Sequence, residues 1–403
     1  MATHLAGVEL APRDPILGLT EQFNADPNPA KVNLGVGVYC DENGKVPLLD
    51  CVRTAEAAMT ESPKARGYLP IDGIAAYDRA VQSLVFGAGC DAVKQGRVAT
   101  VQALGGTGGL KIAADFLRRL QPAGSPAPHV LISDPSWENH RVLFESAGFV
   151  VDSYPYYDAT RRGLNVPAML AFLNAAPTGS IVVLHACCHN PTGYDLSRAE
   201  WREVIGAVKA HGLVPILDMA YQGFGDGIAE DGAAVAMFLD AQLEFYVATS
   251  FSKSLSLYGE RVGALSVVCE TADAAVRVLS QLKRVIRTNY SNPPTHGAQV
   301  VAAVLTTPQL RAQWEEELGA MRRRIQEMRR LLRARLESEV SGWDLSYITA
   351  QKGMFSYSGL SKAQMQRLRT EFGVYGLDSG RICVAALNQG NIERAVQAIA
   401  RVA

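Results

Sequence analysis

The sequence runs to 403 residues, with 39 lysines and arginines against 40 aspartates and glutamates, and it is 48% hydrophobic and 20% charged. That length and apolar content support a large core in two or three domains and exclude a disordered chain, while a formal net charge of −1 argues against a nucleic-acid partner. No apolar run is long enough to span a bilayer and no signal-peptide pattern opens the chain, so a cytoplasmic protein without a membrane segment is expected.

Residues 1–12 lack periodicity and read as an N-terminal arm. DPILGLTEQFNAD (14–26) has an acidic start and apolar spacing that predict a short helix. KVNLGVGVYCDENGKVP (31–47) predicts a strand and a glycine-containing turn. From about residue 97 the chain alternates. GGTGGLKIAADFLRRL (105–120) is a glycine turn entering an amphipathic helix, with Leu110, Ala113, Ala114, Leu117 and Leu120 along one face. Strands are expected at 129–133, 180–185, 213–218, 244–250 and 262–269, with helices at 142–148 and 199–212, the latter closed by Gly212. Near-continuously apolar strands in this rhythm imply a mostly parallel sheet covered on both faces. Residues 308–340 carry Leu310, Trp314, Leu318, Met321, Ile325, Met328, Leu332 and Leu336 at gaps of three and four, which predicts one long amphipathic helix. Its arginines interleave with Glu315, Glu316, Glu317 and Glu327, as on a solvated face rather than a nucleic-acid patch. The remainder reads as a smaller α+β unit.

The 7 cysteines, odd in number and without a secretory signal, read as buried thiols rather than a disulfide framework. HACCH (185–189) invites a metal reading, but Cys187 and Cys188 on a strand would face opposite ways and chelate poorly, so no metal is expected.

Ligands of an open parallel sheet collect at the C-terminal ends of its strands. Trp137 and His140 come after one expected strand, His189 and Asn190 after a second, Asp218 and Tyr221 after a third, and Ser250, Ser252 and Lys253 after a fourth. One rim thus offers a carboxylate, a lysine, an aromatic plate, an amide and a phenol beside a glycine turn. That inventory fits pyridoxal phosphate. The lysine condenses with the aldehyde, a buried carboxylate keeps the pyridine nitrogen protonated, an aromatic face stacks on the ring, and helix N-terminal amides, hydroxyls and an arginine hold the phosphate. In FSKSLSLYGERVG (251–263) Lys253 lies between two serines with Arg261 eight positions on.

Together, PSWENH, HNPTG, DMAYQGF, SFSKSLSLYGERVG, RTNYSNPP, GMFSYSGL and SGRICVAALN resemble the aspartate and aromatic amino-acid aminotransferases, class I enzymes of fold-type I, from about residue 14 to the C-terminus. The resemblance implies a seven-stranded, mostly parallel sheet between helices in a large domain (46–319) and a smaller α+β domain (13–45 and 320–403). It implies Lys253 as the covalent cofactor lysine and proton shuttle, Asp218 on the pyridine nitrogen with His140 supporting it, Tyr221 and Asn190 on the phenolic oxygen, and Trp137 on the ring. Gly106, Thr107, Ser250, Ser252 and Arg261 would hold the phosphate, joined by Tyr68 of a neighbouring subunit. Arg381 would grip the substrate α-carboxylate, Arg287 of the neighbour a distal carboxylate, and Val36 and Gly37 would line the cleft. Asp134–Pro135 and Asn190–Pro191 are candidate cis peptides. The resemblance also implies a homodimer with shared sites and no bound nucleic acid.

Cys40, Val46 and Gly67 stand where aspartate-selective relatives tend to be polar, whereas Thr107 and Asn292 look like the aspartate type. The expectation is transamination between tyrosine, phenylalanine or aspartate and 2-oxoglutarate; an aspartate-selective enzyme and a lyase of the same fold are the alternatives. A cofactor-sensing regulator would need an N-terminal DNA-binding extension, and a dinucleotide enzyme would need the spaced G-x-G-x-x-G that GGTGG lacks.

Overall fold

The computed structural model describes residues 3–12, 14, 16–63, 65–122 and 128–403. Seven strands form the central sheet: β1 (Val98–Leu104), β2 (His129–Asp134), β3 (Val150–Pro155), β4 (Ile181–His185), β5 (Val214–Met219), β6 (Phe245–Ser250) and β7 (Val262–Val268). Their order across the sheet is β1-β7-β6-β5-β4-β2-β3; β7 is antiparallel to both neighbours and the other pairs are parallel. Every residue of β4, β6 and β7 is buried. The pleat sends alternate residues into two cores. Val130, Ile132, Val183 and Ile216 meet Leu110 and Phe116 on one face, and Leu131, Val182, Leu184 and Leu217 meet Val204 and Phe238 on the other. Sequence reasoning names neither β1 nor β3. The first has buried Thr100 and Gln102 amid its apolar residues, and the second is an edge strand carrying Asp152 and Ser153.

Helix α1 (Gly105–Leu120) starts on the first glycine of the GGTGG run, so the run is the first turn of the helix rather than a loop before it. Leu110, Ala113, Ala114 and Leu117 are buried as expected, but Leu120 is exposed because the helix ends there, beyond the sheet. The helix expected at 142–148 begins earlier, at Glu138. Helix Arg198–Ala210 opens on a capping box in which Ser197 and Glu200 satisfy each other's backbone N–H, and Gly212 comes after it at φ +60°. Helix α2 (Ala272–Asn289) packs Leu282, Val285 and Ile286 beside α1.

Helix α3 (Pro308–Glu339) is one continuous rod that buries Trp314, Leu318, Met321, Ile325, Met328, Leu332 and Leu336, with Leu310 half-buried at its start. Pairs such as Arg311–Glu315 and Arg333–Glu337 lie on its solvated side. Outside the central sheet lie small two-stranded ladders. Val32–Asn33 runs parallel to Val374–Tyr375, and Phe355–Tyr357 runs antiparallel to Arg381–Cys383. The first strand is only two residues long because Asn33 Oδ1 accepts from the N–H of Gly35 and Val36 and ends the ladder. Asp134–Pro135 and Asn190–Pro191 are both cis.

The expectation that Cys187 and Cys188 face apart does not hold. The chain leaves extended geometry after His185, and Cys188 takes φ +50°. Both thiols and a carboxylate oxygen of Asp231 then lie within 4.8 Å of one another, all buried. The Asp231 carboxylate already accepts from the N–H of Gly223, Gly225 and Asp226, so it is committed to bracing that turn.

Candidate active site

The C-terminal ends of the parallel strands open into a cavity of about 210 Å³. Its floor on one side is an anion nest. Gly105 takes φ +71° at the start of α1, and Gly106 and Thr107 continue into the cavity wall. Arg261 Nη1 donates to Ser252 Oγ (3.2 Å) and to the Tyr258 carbonyl (3.0 Å), and Ser250 Oγ donates to Ser252 Oγ at 3.2 Å. A Cβ on Gly105 would stand 2.5 Å from Arg261 Nη2, so glycine alone leaves the guanidinium its place. Helix N–H groups, hydroxyls and a guanidinium converging in this way suit a phosphate.

Lys253 lies on the connection between β6 and β7, with Nζ 5.0 Å over the Tyr221 ring. Burial brings its amine down to about 8; the charges of Arg261 and Arg381 push the same way, and Asp218 opposes them. Asp218, near the end of β5, accepts from His140 Nε2 at 2.9 Å, and His140 Nδ1 meets Ser136 Oγ at 2.9 Å. Burial alone would raise the Asp218 carboxyl. The hydrogen bond and charge of His140, with His185 and Lys253 nearby, more than offset that and hold it below the ordinary carboxylate range.

Opposite the nest, Arg381 is 1% exposed. It donates to Asn190 Oδ1 (3.1 Å) and to the Gly35 carbonyl (2.8 Å), and its guanidinium lies 4.3 Å over the Phe355 ring. Asn190 Nδ2 in turn donates to Tyr221 Oη at 3.4 Å. The Arg381 Nε is buried with no partner among the described residues. Trp137 and Gly37 complete this part of the lining, whereas Val36 does not reach it.

Lys253, Asp218, Tyr221, Asn190, Trp137, Gly106, Thr107, Ser250, Ser252, Arg261, Gly37 and Arg381 therefore meet in one cavity, with His140 directly behind Asp218. Tyr68 and Arg287 do not join them in this chain. Tyr68 is 96% exposed, and Arg287, at the exposed end of α2, donates to Ser291 Oγ. His189 is a satisfied core histidine, held by Ser133 and Thr192 and stacked on Tyr156.

Among the lining residues that sequence reasoning did not place at the site are His185, Phe355, Tyr258 and Ile16. His185 is the last residue of β4 and pairs in register with Asp218, so a search confined to the turn after the strand passes over it. Both its ring nitrogens are buried without partners among the described residues, and burial, with His189 and His140 alongside, holds its pKa well below the usual value.

An amine of lowered pKa, a buried carboxylate, an anion nest and an unsaturated guanidinium fit a phosphorylated aromatic aldehyde and a carboxylate substrate beside it. Residues 29–399 match the family Aminotransferase class I and II.

The chain belongs to that aminotransferase family.

The aminotransferase is 59% identical over 397 residues to the aspartate aminotransferase of Pseudomonas aeruginosa, covering 98% of this chain and 99% of that one. It is 51% identical to the aromatic-amino-acid aminotransferase of Escherichia coli, covering 96% and 97%. It also superposes, at a TM-score of 0.96 and 62% identity over 99% of both chains, on the crystal structure of an aromatic-amino-acid aminotransferase from Burkholderia pseudomallei covalently bound to pyridoxal phosphate.

Proposed function

We propose that the protein transfers amino groups between aspartate, tyrosine or phenylalanine and 2-oxoglutarate, with pyridoxal phosphate held covalently on Lys253. The observation that carries this reading is the single cavity in which the Lys253 amine stands between the Arg261 nest and the Arg381 guanidinium. Bound there, the cofactor supplies an aldehyde for the amine and a ring that absorbs electron density as the substrate Cα–H bond breaks. Arg261, Ser250, Ser252, Gly106 and Thr107 bind the phosphate. Asp218, kept anionic by His140, holds a proton at the ring nitrogen. Trp137 covers the ring face, and Tyr221 and Asn190 hold its phenolic oxygen. Arg381 orients the substrate by its α-carboxylate. Lys253 Nζ, its amine brought down to about 8 by burial, would take the proton from the substrate Cα.

Two copies complete each other's sites in this reading. Tyr68 and Arg287 stand outside their own cavity, and an apolar groove lined by Ala55, Ala58, Met59, Ile74, Ala302 and Leu310 offers a face for a second subunit. The ladder of Val32–Asn33 on Val374–Tyr375 supports grouping 13–45 with 320–403 as the smaller domain, although α3 runs unbroken through residue 320. All 7 cysteines are free, which suits the cytoplasm. No described helix is long and apolar enough to cross a membrane.

Relatives named for both substrate classes, at 59% and 51% identity, support dual specificity. A hydrophobic pocket discriminates only modestly. The test is absorbance. The cofactor band shifts when aspartate or phenylalanine is added alone and returns on adding 2-oxoglutarate. A kcat/KM for phenylalanine more than about a thousandfold below that for aspartate, roughly 4 kcal/mol, makes the enzyme aspartate-selective.

A further inference from the structure

Arg329 lies on the buried stripe of α3 and is 3% exposed. No carboxylate pairs with it among the described residues; its two Nη atoms donate to carbonyls, while Nε is buried with no partner among those residues. Nη1 donates to Ile348 (3.0 Å), and Nη2 to Lys352 (3.3 Å), Gly353 (2.9 Å) and Phe355. Burying a guanidinium without a counter-anion is costly, and removing it would leave those carbonyls short of donors. The arrangement draws the backbone of 348–355 around one cation.

That segment touches the active site in two places. Phe355 supports the Arg381 guanidinium from below, lies 5.7 Å from Tyr221 edge to face, and pairs in register with Cys383, two residues beyond Arg381. Lys352 N–H donates to the Gly193 carbonyl at 2.6 Å, which ties the segment to the turn bearing Asn190, another partner of Arg381. The fit is close at both contacts. A Cβ on Gly193 would come within 2.9 Å of the Phe355 carbonyl, and one on Gly353 within 2.6 Å of Cys188 Cβ.

We propose that Arg329 is a positioning residue for substrate recognition: by gathering the carbonyls of 348–355 it fixes two of the three supports of Arg381, the Phe355 ring and Asn190, and so sets affinity for the α-carboxylate. The inference rests on the reading of Arg381 as the α-carboxylate group.

The test uses holoenzyme and 3-phenylpropionate, a carboxylate with no amine to react. Its Kd is measured by calorimetry, alongside steady-state kinetics and thermal melting. Arg329→Met raises the Kd for 3-phenylpropionate and the KM for aspartate and phenylalanine tenfold or more together, while kcat stays within threefold. Arg329→Lys, which keeps a donor cation, recovers part of the loss. A folded Arg329→Met protein with Kd and KM within twofold of the parent overturns the proposal, as does a kcat loss that merely tracks the folded fraction. Should Arg329→Met not fold, Phe355→Leu reads the same link from its far end. There a rise in Kd supports the proposal and an unchanged Kd refutes it. Unchanged affinity in Arg381→Lys would remove the clamp by removing its target. Lost affinity there with intact affinity in Arg329→Met overturns the clamp alone.

Discussion

Arg381→Lys separates the feature that two substrate classes share from those that distinguish them. The arginine holds Asn190 Oδ1 at 3.1 Å and the Gly35 carbonyl at 2.8 Å while its plane rests 4.3 Å over Phe355. A lysine ammonium is a point charge on a shorter reach. It cannot keep both anchors, stack on the ring and still present two parallel N–H groups to a carboxylate. Charge-assisted hydrogen bonds contribute about 1.5–3 kcal/mol each, and one of the pair to substrate is lost along with the pre-set orientation. A net loss of about 3 kcal/mol, or ~150-fold in kcat/KM, is expected. Aspartate and phenylalanine both carry the α-carboxylate, so both fall by the same factor and their ratio is unchanged. Single-turnover half-reactions with each amino acid measure this directly. A loss under threefold, or a loss confined to one substrate, would refute the assignment.

Arg287→Leu should do the reverse, lowering kcat/KM for aspartate by tenfold or more and leaving phenylalanine within threefold; equal effects on both would sink its role at a distal carboxylate. Lys253→Ala should abolish transamination while circular dichroism stays native; measurable turnover would disprove its role. In cofactor-free protein only the neutral Lys253 amine captures the aldehyde, so the capture rate should climb with pH and level off above about 8. Asp218→Asn should move that midpoint lower, because the Asp218 charge raises it; a plateau reached only near the ordinary lysine value would contradict both statements. Gly105→Ala demands φ +71° of an alanine, a cost of roughly 1–2 kcal/mol, and pushes on Arg261. The cofactor Kd, measured by fluorescence, should rise by about tenfold or more, and an unchanged Kd would show that the nest tolerates a side chain.

Much of the site was legible because chemistry at strand ends is local in sequence. Asp218, Lys253 and Asn190 each lie at or just past a strand whose apolar run announces it, and the motif strings add their partners. Residues that reach the cavity from far away in sequence were harder. Phe355 is one hydrophobic residue in a short strand, and its role depends on Arg381 lying above it. His185 was hidden by being strand rather than loop. Cys187 and Cys188 were misjudged because nothing local shows that Cys188 will turn left-handed, with its N–H caught by Asp195. Arg329 read as one more charge on a charged helix, since burial of a cation depends on four distant carbonyls. The strand β1 lost its signal to buried Gln102, whose amide serves the 72–74 turn and Pro294 rather than solvent.

The antiparallel run of β7 has a consequence for precision. A parallel crossover would have separated the reactive amine from its anion anchor by a whole helix. Instead the chain doubles back within residues 251–261, and β6 and β7 are laced together in register from Ser250–Gly263 onward. Lys253, the Ser252 hydroxyl and the Arg261 guanidinium thus sit on one short bight that starts just after Ser250, with both ends pinned to the same ladder. Whatever the outer elements do, the spacing between the Lys253 amine and the Arg261 guanidinium is measured along residues 251–261 of a single closed loop.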